Sequence, residues 1–135
     1  MKKQRGTTLV ELMTVVTVLG ILTTIGYPMY LDQTLKGRRA GAKAMLHYML
    51  QQSERYYTEN NTFTSDLALL GFGAGPYYSE NGTHSITLAV GPTGSIATSV
   101  TIIATPTDTD AKCNVLTLSS DLSRSASGTQ PAICW

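Results

Sequence analysis

One carboxylate stands inside the most apolar stretch of this 135-residue chain. Between Thr7 and Tyr27 there are ten Leu, Ile or Val residues, Met13, six threonines, no Lys or Arg, and a single acid, Glu11. The chemistry that suits a carboxylate in such company is pairing with a cation that is desolvated along with it. The other groups capable of chemistry are sparse. His47 lies in a helical pattern with no ligand at i+4, and His84 belongs to a different element. No metal-ligand spacing and no nucleophile motif is present, so an enzyme is disfavoured and neither cofactor nor metal is expected. The stretch Gly71-Phe72-Gly73-Ala74-Gly75-Pro76 superficially resembles a phosphate loop. It lacks the sixth-position Gly, the following helix and the Lys-Ser/Thr pair, and is rejected. Asn60-Asn61-Thr62 and Asn81-Gly82-Thr83 match a glycosylation acceptor, a pattern common by chance.

The elements that must position Glu11 begin with a basic leader, Lys2, Lys3 and Arg5, ending in Gly6. The residues from Thr7 to Leu31 would reach about 37 Å as a helix, enough to cross a bilayer. The ten aliphatic side chains contribute roughly −3 to −6 kcal/mol to insertion, and an ionised acid at mid-span costs about +2.5 to +3.5 kcal/mol. The basic leader keeps the N-terminus cytoplasmic, so everything after Tyr30 is exported. A cleaved secretory signal would need a small-x-small site, for which Thr24-Ile25-Gly26 is a poor candidate. A plain anchor leaves Glu11 as an unexplained cost. Length supports one domain. Without the first six residues, seven Lys/Arg face nine Asp/Glu, a net charge of −2. That balance argues against bulk-charge binding to nucleic acid or anionic lipid. Cys113 and Cys134 are the only cysteines, and in an exported domain such a pair reads as one disulfide, a free or metal-binding pair being the alternative.

A third reading uses every oddity. The charged leader closed by Gly6, followed by Thr7-Thr8-Leu9-Val10-Glu11-Leu12-Met13, resembles the class III signal of type IV pilins and pseudopilins. The resemblance implies cleavage after Gly6 by a prepilin peptidase on the cytoplasmic side and N-methylation of the new terminus, here Thr7, where the family usually has Phe. It also gives Glu11 a partner. The α-ammonium of Thr7, about one helical turn away, would meet the carboxylate, and in a filament Glu11 of an incoming subunit would meet the amine of a neighbour. Pilins commonly carry a Gly and a Pro farther along, here Gly20 and Pro28, and the stretch between them is expected to bend or lose helicity on assembly.

Leu31, Leu35, Ala42, Met45, Leu46, Met49 and Tyr56 recur at helical spacing, extending an amphipathic helix to about Tyr57. Lys36, Arg39, Lys43, Gln51 and Glu54 fall on its other faces. A helix from Thr7 to Tyr57 would be about 75 Å long, so its first half must bury itself in lipid or in other copies. The basic group Lys36, Arg38, Arg39 and Lys43 is read as pairing with acids on neighbouring subunits rather than as a nucleic-acid patch. Arg39-Ala40-Gly41-Ala42-Lys43-Ala44 and Glu54-Arg55-Tyr56-Tyr57-Thr58, followed by Asn60-Asn61 and Phe63, resemble minor pilins of the PilE kind. Beyond them, Ser65 to Gly75 is expected to form a short helical turn and a loop. Ile86, Leu88 and Val90 mark one strand, Ile96 to Ala104 a second, and Val115 to Ser119 a third, with Gly91-Pro92-Thr93-Gly94 as the hairpin between the first two.

The expectation is therefore an α+β type IV pilin fold: a long N-terminal helix, its first half transmembrane, on a small antiparallel sheet with a C-terminal loop closed by Cys113–Cys134. The organisation is a leader over 1–6, a transmembrane and assembly helix over 7–30, and a periplasmic globular domain over 31–135. The resemblance implies a minor pilin that sits in the inner membrane before assembly and outside the cell in a type IV pilus afterwards, supporting adhesion or twitching motility. Its partners would be other pilins, the peptidase and an inner-membrane assembly platform. A pseudopilin of a type II secretion system and a DNA-uptake pilin are the alternatives. Against the latter, only Lys112 and Arg124 are basic after Phe63, against five acids.

Overall fold

The computed structural model describes residues 7–135. The chain divides into two compact units, one ending at Lys36 and one running from Gly37 to Trp135. The element order is helix α1 (Leu9–Asn60), strands β1 (Tyr77–Tyr78), β2 (His84–Val90), β3 (Val100–Pro106), β4 (Leu116–Ser119) and β5 (Arg124–Ala126), then a 3-10 turn over Pro131–Ile133.

In the first unit α1 is helical without interruption through Gly20, Gly26 and Pro28, and its apolar side chains from Leu9 to Tyr30 are exposed. This is the one helix among the described residues long and apolar enough to cross a membrane. A proline is tolerated inside it because only one backbone hydrogen bond is lost.

In the second unit the five strands form a single antiparallel meander, in the order β1-β2-β3-β4-β5. Period-2 alternation aligns one row across the sheet: Leu88 pairs with Ile102 and Ile102 with Leu118, while Ile86 pairs with Ala104 and Ala104 with Leu116. These side chains meet Ala42, Leu46, Met49 and Leu50 of α1, which fall at i, i+4, i+7 and i+8. Completely burying residues of this size contributes about 1.5–3 kcal/mol each, so this seam holds the unit together. The opposite row is mainly hydroxyl-bearing, Ser85 facing Thr105 and Thr101 facing Ser119, with Ile103 among them. That is the pattern of a sheet solvated on one side.

The helix stops at the Asn60-Asn61 pair, the stop that the tolerance of Asn for left-handed angles suggests, with Asn61 at φ 57°. Other boundaries differ from those expected. Residues 67–72 form turns, with no helix between Phe63 and β1. The second long strand starts at Val100, not Ile96, because hydroxyls capture the backbone before it. Ser99 donates its N–H to the Ser95 carbonyl, and the Thr93 N–H donates to Ser99 Oγ. Gly91 permits this loop: a Cβ there would overlap Ser99. The short strands β1 and β5 went unforeseen.

Candidate functional site

Thr8 precedes the first helical residue, and its Oγ1 accepts the Glu11 N–H at 3.3 Å, while the Thr8 carbonyl accepts the Leu12 N–H at 3.2 Å. Thr8-Leu9-Val10-Glu11 thus has the S/T-x-x-E form of a capping box. Glu11 consequently lies in the first turn, where the helix dipole favours an anion, rather than at mid-span. Its cost in the membrane is correspondingly lower than the mid-span value. The capping pattern was readable in the sequence and was missed. Gly6, the expected cleavage position, lies outside the described residues. Thr7 and Glu11 are both exposed.

The threonines that dilute this segment spend their hydroxyls internally. Thr14 donates to the Glu11 carbonyl at 2.8 Å, Thr17 to Met13 at 2.8 Å, and Thr24 to Ile21 at 2.7 Å. Thr23 reaches the carbonyls of Leu19 and Gly20 at 2.9 and 3.0 Å. In hydrocarbon an unmade hydrogen bond is costly, and this back-bonding removes that cost.

In the second unit the chemistry concentrates where α1 meets the segment before β4. Arg39 donates from Nε and Nη2 to the two carboxylate oxygens of Asp110, both at 2.7 Å, and each side chain is only 5% exposed. Arg38 pairs with Asp108 at 2.5 Å. Arg39 is therefore buried, contrary to its expected place on a solvated face. The acids that meet this basic pair come from the same chain, not from a neighbouring subunit. Asp110 also accepts the Cys113 N–H at 3.3 Å, which ties the pair to the disulfide loop. The Arg39 guanidinium holds the Asp110 carboxyl below the usual aspartate range, against the opposing effect of burial. His84 lies nearby, buried, with Nδ1 3.2 Å from Thr83 Oγ1. Burial pushes its imidazole below the ordinary value, and the field of Asp110 opposes this.

Cys113 and Cys134 are bonded, with Cα atoms 5.7 Å apart. The loop they close is laced by backbone bonds: Gly128 N–H to the Cys113 carbonyl at 3.0 Å and Gln130 N–H to Lys112 at 2.8 Å. A side chain at position 128 would collide with the Lys112 carbonyl. Trp135 docks the terminus through Nε1–H to the Ser125 carbonyl at 2.8 Å, and the Arg124 guanidinium lies 5.7 Å from its ring centre. Among the described residues no three His, Cys, Asp or Glu side chains are grouped to hold a metal ion.

Residues 28–117 match the protein family described as type IV minor pilin ComP, DNA uptake sequence receptor. Residues 1–27 match the prokaryotic N-terminal methylation motif. The chain is also similar to the fimbrial protein EcpC of Eikenella corrodens, 29% identical over 92 residues. Those residues are 68% of this chain and 58% of that protein, so the match spans less than two thirds of the relative.

Proposed function

Because the chain belongs to the family of type IV minor pilin ComP, we propose that it is processed after Gly6, anchored in the inner membrane by α1, and drawn into a pilus through the pairing of Glu11 with a Thr7 amine. As a type IV minor pilin it assembles with other pilins. The peptidase, the assembly platform, methylation of Thr7 and a bend between Gly20 and Pro28 are parts of this proposal. The observation that carries it is the exposed apolar run of α1 with its one carboxylate in a capped first turn. A helix surface of this kind is stable only in lipid or against other helices. The expected result for Glu11→Ala is normal leader cleavage with the chain retained in the membrane and absent from sheared pili. Normal incorporation of that variant would refute the pairing.

A second reading is favoured by the family description: a receptor for duplex DNA during uptake. Three of the second unit's cations are engaged within the chain, Arg38 with Asp108, Arg39 with Asp110 and Arg55 with Glu59. Few phosphates can then be neutralised. Binding would rest on local contacts and DNA shape rather than on bulk charge, with a slope of log affinity against log salt of only about −1 to −3.

A further inference from the structure

Eight described residues have positive φ, and seven of them are Gly or Asn, the residues that adopt this backbone at least cost. The eighth is Leu122, at φ 65°. It is the third of the four residues, Ser120 to Ser123, that connect β4 to β5. Its N–H donates to the Ser119 carbonyl at 2.9 Å, and the Ser119 N–H donates to the Ser123 carbonyl at 3.0 Å. A connection of this form wants glycine at its left-handed position. A leucine there is strained, and packing does not hold it, since the side chain is 62% exposed. Strain kept without internal contacts points to a use outside the chain.

The surroundings define that use. From Ser119 to Gly128 the only other apolar side chain is Ala126, so Leu122 is the one large apolar residue of this hairpin. Its neighbours are the serines 120, 123 and 125. The one acid, Asp121, turns its carboxylate back to accept the Ser123 N–H at 3.0 Å. Two residues on, Arg124 is exposed with its guanidinium near the Trp135 ring, and Trp135 is fixed to the Ser125 carbonyl. A single apolar knob among hydroxyls, with a cation held beside it, is the composition of a minor-groove wedge. The hairpin lies beyond residue 117, where the family match ends.

We propose that Leu122 inserts at a base step of duplex DNA while Arg124 contacts an adjacent phosphate, so that the β4–β5 turn reads how easily the duplex kinks. This rests on the DNA-receptor reading given above. Pyrimidine–purine steps unstack most readily and are the preferred targets.

The test uses the full chain in detergent micelles and end-labelled duplexes carrying a central TA step or an A-tract, with affinity read by anisotropy and bending by energy transfer. The wild type is expected to bind and bend the TA duplex, and Leu122→Met to do the same. Leu122→Gly, which removes the strain and the wedge together, is expected to melt no lower than wild type. It should bind about tenfold more weakly, without bending and without preference for the TA step. Undiminished binding and bending by Leu122→Gly would overturn the wedge, as would wild-type binding with no bend. Absence of any duplex binding by the wild type would overturn the receptor reading itself, and the wedge with it.

Discussion

At the scale of single residues, the buried pair Arg39–Asp110 is the group whose removal costs most. Truncating one partner strands a charge in a dry environment. Asp110→Ala or Arg39→Ala is therefore expected to lose about 3–5 kcal/mol in denaturant titration, whereas the exposed pair Arg55–Glu59 contributes at most about 1 kcal/mol. Acid should act in two stages. The folded pKa of His84 is lowered, so the unfolded chain takes up its proton first, and stability declines as pH falls below the ordinary imidazole value of about 6.5. Asp110 is also lowered, so its contribution is complete above the usual aspartate value of about 3.9 and is lost as pH falls through the folded value beneath it. Melting temperatures from pH 8 to pH 3 should show both stages, with the first absent in His84→Gln. Glu11 was legible in the sequence because a charge in an apolar run is conspicuous. Arg39 was not, because its partner lies 71 positions away and nothing local distinguishes it from Lys36 or Lys43.

At the scale of elements, the two periodicities located α1 and the hydrophobic rows of β2, β3 and β4, since long amphipathic patterns are set by burial on one face. Their ends were less legible. Ile96 reads as strand by type, yet the Ser99 hydroxyl accepts the Thr93 N–H and the Thr93 hydroxyl donates to the Ser95 carbonyl, which delays β3 to Val100. Strand β5 lacks an apolar row of its own and exists because β4 offers it an edge. Gly91→Ala tests this account of the β2–β3 loop. The added methyl would overlap Ser99, so the substitution should destabilise by about 1–3 kcal/mol, the range for overpacking, and Gly91→Ala combined with Ser99→Gly should recover part of it. If the single substitution left the melting temperature unchanged, the close approach of these two residues would not exist in solution.

At the scale of the whole molecule, the sheet and helix seam of the second unit is closed by one covalent bond. Removing Cys113–Cys134 returns entropy to the unfolded chain, and for a loop of 21 residues the loss in stability is about 3 kcal/mol. Reduction should also free Trp135 from Ser125, so its emission is expected to shift toward that of a solvated indole before the helical signal falls. Coincident loss of both signals would mean that the loop and the core unfold as one. The α+β class, the Cys113–Cys134 disulfide and the pilin family were legible from residue pattern and resemblance. The ion pairs joining α1 to the loop, and the strained hairpin tip, depend on contacts across the fold that no local pattern encodes.

The inward-turned hydroxyls of Thr14, Thr17, Thr23 and Thr24 have a bearing on traffic. A segment that has already settled its own donors offers the same greasy exterior to acyl chains as to a neighbouring rod. It can leave one for the other without swapping a single polar partner. On the route into a pilus proposed above, transfer would then be a near-isoenergetic slide for every part of the span except its solitary anion.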